Sequence, residues 1–331
     1  MPAPITTTGW LVSSIAACWQ LGPCTAPPVA VISTPALAAW LASELDETLL
    51  GMTPVGGGCI HSSWCLRLGS GRQLFAKTNT AERLPLLQAE VEGLRALAAW
   101  ARPPLQLPQP LALNTLDGQA VLVLSWLDLE AGGGSSAGWG QLGEGLARLH
   151  RASASGNGGR GYGLEHDNFI GLSPQRNGWQ SDWAGFFRSA RLEPQLCWAA
   201  AAGQELHGAE RLLELLPQWL NCHGAEPVLV HGDLWSGNAA LLRGGDGALF
   251  DPACHWADRE VDLAMAQLFG GFPPAFFAGY EAHWPLPPGA GERQRIYNLY
   301  HLLNHANLFG GGYWQQAQQS LRSILRLLPL N

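Results

Sequence analysis

Lysine is almost missing from this 331-residue chain. Of its 19 basic side chains one is a lysine, Lys77, and the rest are arginines. Against 26 acidic residues this leaves a formal net charge of −7. No run of five or more basic residues occurs. A nucleic-acid-binding surface needs a concentrated basic face, so that class of partner is disfavoured. Charge of either sign is scarce, at 14%, whereas 47% of the residues are hydrophobic, enough for a sizeable core. The seven cysteines are odd in number and show no C-x-x-C spacing. That argues against a zinc site or a disulfide framework and for a reducing, cytoplasmic compartment. Long apolar runs are lacking as well. Residues 1–33 contain no Lys or Arg, and their apolar stretch Leu11–Cys18 is too short to cross a bilayer and has no basic lead-in. No membrane association is expected. Residues 1–33 read as an N-terminal extension: a flexible arm, an interaction segment or the product of a mis-set start codon.

What is present is concentrated in one stretch. His231-Gly-Asp233-Leu-Trp235-Ser-Gly-Asn238 is followed thirteen residues later by Asp251. An Asp, an Asn five positions on and a second Asp stand in the order of a kinase catalytic loop and its metal-binding Asp. The chemistry requires that order. One carboxylate receives or orients the proton of the attacking hydroxyl, while an amide oxygen and a second carboxylate hold Mg²⁺ against the phosphates. Apolar runs at 239–242 and 248–250 flank the turn sequence Arg243-Gly-Gly-Asp-Gly247. A strand–turn–strand would return Asp251 to the side of Asn238. His231 is assigned a structural role, hydrogen-bonding the loop. Trp235 either stacks on a substrate ring or packs, and substrate contact is the preferred reading. For His305 a core position is the default.

Lys77 supplies the other half of such a site. It follows the strand-like run Arg72–Ala76, and Glu90 comes thirteen residues later on an amphipathic helical run. A strand lysine on the α- and β-phosphates, paired with a helix glutamate, is what phosphoryl transfer requires. Glu90 lies closer than Glu92 to the apolar face. Upstream, Gly56-Gly57-Gly58-Cys59 sits between a helix expected over 35–50 and the Lys77 strand. Its small residues would let backbone N–H groups approach phosphate oxygens. The buried-type strand Val121–Leu124 leads to Ser125-Trp126-Leu127, placed as the hinge that pairs with adenine. Further helices are expected at 142–150, 183–191, 196–220, 261–269, 293–307 and 321–328. Gly/Ser-rich residues 131–138 read as a flexible link.

These stretches, with Asp167–Gly171, Glu260–Met265, Leu268–Phe272 and Leu303–His305, resemble the fructosamine kinase (ketosamine-3-kinase) family, within the wider group of aminoglycoside and choline kinase-like enzymes. The resemblance runs from about Thr34 to near the C-terminus. It implies an α+β, two-lobed protein-kinase-like fold. The small antiparallel-sheet lobe would span 34–127 and the larger, mainly helical lobe 128–331. It also implies ATP and Mg²⁺ as cofactors, and phosphorylation of the 3-hydroxyl of ketosamines, either small molecules or adducts on glycated proteins. Loss of that phosphate by β-elimination would free the amine, which amounts to protein deglycation. The alternatives are a kinase of another amino-alcohol or aminoglycoside and, in another class, a nucleotide-binding pseudokinase. A cysteine at the position of Cys59 is associated in the family with redox sensitivity, and an equal alternative is a tolerated small residue. The ketosamine amine asks for an acidic lining, with Glu165, Asp167, Asp258, Glu260 and Asp262 as candidates. Preferred sugar, free or protein-bound substrate and oligomeric state are not encoded legibly.

Overall fold

A computed structural model of the chain describes residues 33–56, 60–130 and 134–327. Helix α1 (Thr34–Leu45) opens it. It ends five residues short of the expected boundary because Asp46 turns into the left-handed region at φ 53°. That breaks the helix and sends Leu49 and Leu50 into a strand. Strands β1 (Leu49–Val55), β2 (Ser62–Leu68) and β3 (Gln73–Thr80) form an antiparallel meander. Helix α2 (Leu84–Ala98) follows, then the short β4 (Leu105–Gln106), β5 (Pro110–Leu116) and β6 (Gln119–Ser125). The sheet order is β1-β2-β3-β6-β5. One sheet face packs on α1 through Leu37, Trp40 and Leu41, and the other on α2 through Leu87, Val91 and Leu94.

From residue 134 the chain is mainly helical. Helix α3 (Ser136–Ala154) is capped by the Ser135 hydroxyl, which accepts the Gly138 N–H at 3.1 Å. It therefore takes up the end of the stretch expected to be a link. The hairpin β7 (Asn168–Ile170) and β8 (Ser173–Gln175) comes next, then α4 (Trp183–Phe186) and a π-helical turn over Phe187–Leu192. Helices α5 (Glu193–Ala201) and α6 (Ala209–Leu220) replace the single run expected over 196–220. Gly203 and Gly208, both at positive φ, break it. Strand β9 (Val228–Val230), the hairpin β10 (Ala239–Leu241) and β11 (Gly247–Leu249), and β12 (His255–Ala257) carry the loops of the site. The strand–turn–strand expected from the sequence is present, with Ala239 opposite Leu249. Strand β11 also pairs in parallel with β4, and β12 pairs antiparallel with β9. Helices α7 (Glu260–Leu268), α8 (Pro274–His283), α9 (Ala290–Phe309) and α10 (Gly312–Leu327) complete the chain. Their core is built on Trp183, Phe187, Leu216, Tyr297 and Leu303. The expected fold class, an antiparallel sheet followed by a larger helical part, is the one observed.

Candidate active site

Two strands set the site. Strand β9, buried throughout, delivers His231, Gly232 and Asp233. The hairpin β10–β11 returns the chain so that Phe250 N–H donates to the Asn238 carbonyl at 3.1 Å and Asp251 follows directly. The Asn238 side-chain amide donates to the Asp233 carbonyl at 2.9 Å, to the Asp233 carboxylate at 3.3 Å and to the Asp251 carbonyl at 3.4 Å. One amide thus ties the three sequence-singled residues together. With its nitrogen spent this way, its oxygen is left as an uncommitted acceptor among the described residues.

Lys77, the lone lysine, lies on β3 and is buried. Its ammonium donates to Glu90 of α2 at 2.8 Å and contacts the Asp251 carboxylate. Glu90 is therefore the partner, while Glu92 is exposed. The sheet and the helical part meet at this triad. Burial works against the Lys77 charge, but the two carboxylates outweigh it and hold its pKa above the ordinary lysine value. Burial lifts Glu90 to about 7 against the pull of Lys77. Asp251 is brought below the usual carboxylate range because Lys77 overrides its own desolvation. Its side chain remains 46% exposed.

Among the described residues no cation pairs with Asp233. Burial, reinforced by the Asp251 carboxylate, pushes it up to about 7, with the Asn238 hydrogen bond pulling the other way. A carboxylate poised near neutrality suits proton transfer to or from a hydroxyl. His231 is fully buried; its Nε2 lies 3.0 Å from the Phe250 carbonyl and its Nδ1 accepts the Asp233 N–H at 3.4 Å. Burial keeps its pKa below the ordinary histidine value, so the ring stays neutral. Trp235 is 39% exposed. Its ring lies over Gly237, where an added Cβ would come within 2.2 Å of it. The loop 269–271 touches the same segment, since a Cβ on Gly271 would meet Ser236 at 2.4 Å. His305 is half-buried among Phe269, Phe309 and Tyr313.

Ser125 ends β6 with its N–H donating to the Gln109 carbonyl and its hydroxyl accepting the Gln109 N–H. Among the described residues, the amides of Trp126 and Leu127 have no hydrogen-bond acceptor. Gly56 is exposed at the end of β1, whereas Gly57, Gly58 and Cys59 lie outside the described residues.

Asp262 carries a function that the sequence reading did not assign. It is fully buried and accepts the N–H of His231 at 2.7 Å and of Gly232 at 2.8 Å. His150 Nε2 contacts it at 3.1 Å, and His150 Nδ1 lies 2.9 Å from the Tyr280 hydroxyl. Asp262 sits between Val261 and Leu263 on α7, where residues 260–266 are all buried, a setting that only the packing of the helix reveals. Asp258 and Glu260 are likewise buried and engaged, the first with His223, Tyr297 and the Glu260 N–H, the second with Arg293. Of the five acidic candidates for a lining, only Glu165 and Asp167 are exposed.

The arrangement matches known proteins along nearly its whole length. The model of the fructosamine kinase family matches residues 34–327. A probable ketoamine kinase of Synechocystis is 41% identical over 302 residues, covering 89% of this chain and 99% of its own length. The chloroplastic protein-ribulosamine 3-kinase of rice is 32% identical over 305 residues, covering 91% of this chain and 86% of its own. A crystal structure from Thermobifida fusca, bearing the fructosamine-3-kinase name, superposes with a TM-score of 0.77 at 28% identity, covering 89% of this chain and all of that one. A spectinomycin phosphotransferase shares the fold alone, with a TM-score of 0.52 at 13% identity, covering 90% of this chain and 95% of its own.

Proposed function

The chain belongs to the fructosamine kinase family, and we propose that it transfers the γ-phosphoryl group of ATP to the 3-hydroxyl of a ribulosamine or fructosamine. It is a phosphotransferase whose acceptor is a sugar-amine hydroxyl. The single observation that carries this reading is the convergence of Lys77, Asp233, Asn238 and Asp251 through direct side-chain contacts.

Each residue has a part in that reaction. Asp233, unpaired and raised toward neutrality, orients the acceptor hydroxyl and receives its proton as the O–P bond forms. Lys77, charged and fixed by Glu90, holds the α- and β-phosphate oxygens. The amides of Trp126 and Leu127 contact the base, and Gly56 to Cys59 cover the phosphates. The free oxygen of Asn238 and the half-open carboxylate of Asp251 are hard oxygen donors of the kind Mg²⁺ takes. They would hold that ion, whose charge neutralises the phosphate oxygens when bound. His231 keeps the loop in register. Trp235 offers its exposed face to the sugar ring. Positioning and electrostatics supply the rate, with no covalent intermediate on the protein.

Phosphate at C3 makes the adduct prone to β-elimination, releasing the amine. The enzyme would thereby remove sugar adducts from glycated protein lysines. The test is ³¹P NMR of a reaction with ATP, Mg²⁺ and a ribulosamine. A new phosphomonoester on C3 supports the reading. Phosphorylation of an aminoglycoside, with none on ribulosamine or fructosamine, would replace it.

A further inference from the structure

Asp251 has a left-handed backbone, φ 57°, and is not a glycine. For a residue with a side chain such a conformation costs about 1–3 kcal/mol and persists only where the surroundings hold it in place. The segment after it is gripped from two directions. On one side stands α2, the helix that carries Glu90: an added Cβ on Gly93 would lie 3.1 Å from Pro252 Cγ and 3.4 Å from Cys254 Sγ. On the other stands the β7–β8 hairpin. Asn168 Nδ2 donates to the Cys254 carbonyl at 2.8 Å, and Gln175 Nε2 donates to the Ala253 carbonyl at 3.1 Å.

Those two amides are themselves locked. Gln175 Nε2 also donates to Asn168 Oδ1 at 2.9 Å. The Tyr300 hydroxyl of α9 donates to Gln175 Oε1 at 2.9 Å. Asn177 Nδ2 donates to Asn168 Oδ1 at 2.9 Å, and Arg191 donates to Asn177 Oδ1 at 3.0 Å. Asn168, Gln175, Arg191 and Tyr300 are all buried. The amides of Asn168 and Gln175 are each hydrogen-bonded through both nitrogen and oxygen, which fixes their orientation. The turn of the hairpin also reaches both halves of the molecule: a Cβ on Gly171 would lie 3.5 Å from Leu308 of α9 and 3.7 Å from Ile60, just after the Gly-rich loop.

We propose that the β7–β8 hairpin is a positioning brace for Asp251. Asn168 and Gln175 act through the carbonyls of Cys254 and Ala253 to keep Asp251 in its left-handed conformation and aimed at the metal–nucleotide. Neither side chain touches the reacting atoms; both are positioning residues. The inference rests on the kinase reading above, in which Asp251 is a metal ligand. Groups hydrogen-bonded directly to a metal ligand cost about 10–100-fold in metal affinity when lost, and a brace acting through the main chain two and three residues away should fall at the lower end of that range.

The experiment is Mn²⁺ binding to the full chain in the presence of the β,γ-imido analogue of ATP, followed by electron paramagnetic resonance. Asn168→Ala should raise the Mn²⁺ Kd about tenfold. Tyr300→Phe, which keeps the ring and removes one donor, should raise it several-fold. Tyr162→Phe is the control for a merely structural bond, since it removes a donor to the Ala225 carbonyl at 2.6 Å away from Asp251. It should lower Tm and leave the Kd where it was. A wild-type Kd in Asn168→Ala overturns the brace. If that variant does not fold, a wild-type Kd in Tyr300→Phe does the same. Failure of the wild-type chain to bind Mn²⁺ with the nucleotide analogue would instead sink the kinase reading.

Discussion

Asp262 accepts the main-chain N–H of Gly232 at 2.8 Å while its second oxygen takes that of His231 at 2.7 Å. One buried carboxylate thus holds the two peptide units that lead into Asp233. Its charge is kept by His150 and by those N–H donors, which outweigh its desolvation and set its pKa below the usual carboxylate range. Asp262→Asn would turn one acceptor into a donor that faces either His150 or a backbone N–H. Leaving a buried backbone donor of this kind unpaired costs about 1–3 kcal/mol. Thermal melting should show a drop in Tm and kinase assays a loss of kcat. An unchanged melt would mean that the loop is held by other contacts.

Gly232 gives a second handle on the same loop. Its φ is +82°, and an added Cβ would lie 2.1 Å from the Ala253 carbonyl oxygen. Gly232→Ala therefore faces both a left-handed backbone and a clash with main chain that cannot swing aside. We expect Asp233 to be displaced and kcat to fall by at least 10²-fold, the order that misplacing a catalytic group costs. Retention of wild-type kcat would refute the claimed closeness of these two segments.

The Lys77 ammonium bridges Glu90 and Asp251, joining the sheet to the helical part. Lys77→Ala would leave two carboxylates facing one another with Glu90 buried. Glu90, already raised to about 7 in the presence of the lysine, would lose the cation that favours its charge and take up a proton more readily. Nucleotide affinity measured by calorimetry should fall more than tenfold. Equal affinity in the two proteins would remove Lys77 from the phosphate site.

The residues that converge here were legible because each sits in a motif whose spacing is itself the chemistry. Asp233 and Asn238 are five apart, Lys77 is the one lysine, and the turn 243–247 announces the hairpin that returns Asp251. What the sequence did not disclose is how they are held. Strands of three residues such as β7, β8 and β12 are too short to display an alternation. The roles of Asn168 and Gln175 depend on carbonyls some 80 residues away, which no local pattern encodes. The break between α5 and α6 was missed because apolar spacing continues through residues whose glycines end the helix. Asp262 was taken as one of several acidic candidates for a substrate lining; its true setting, under the loop, follows only from the packing of α7.

Under the proposed mechanism Asp233 should set an acid limb on the rate. Burial and the neighbouring Asp251 raise its pKa to about 7, and the base form is the deprotonated one. In the free enzyme kcat/KM should therefore rise with pH up to about 7 and level off above. Asp233→Asn should lower kcat by about 10²–10⁴-fold, the usual worth of a positioned general base, and abolish that limb. A profile flat between pH 5.5 and 8 in the wild-type enzyme would assign the proton elsewhere.

Stability should follow the opposite groups. Burial lowers the pKa of His61, His231, His255, His301 and His305, His61 to about 4 and His301 to about 3. As pH falls below about 6.5 the unfolded chain protonates them and the folded chain does not. The unfolded state then binds more protons, and stability falls with pH. Asp233 and Glu90 work the other way, because their folded values near 7 let the native state take up protons first. Glu260 is raised by burial as well, so five lowered histidines stand against three raised carboxylates, and the balance is a net uptake of protons on unfolding: stability should fall from pH 6 to pH 5. Urea melts at those two pH values measure it directly. His301→Gln, which removes one titrating ring, should flatten the slope by about 1.4 kcal/mol per unit. A midpoint that rises on acidification would show that the raised carboxylates outweigh the histidines.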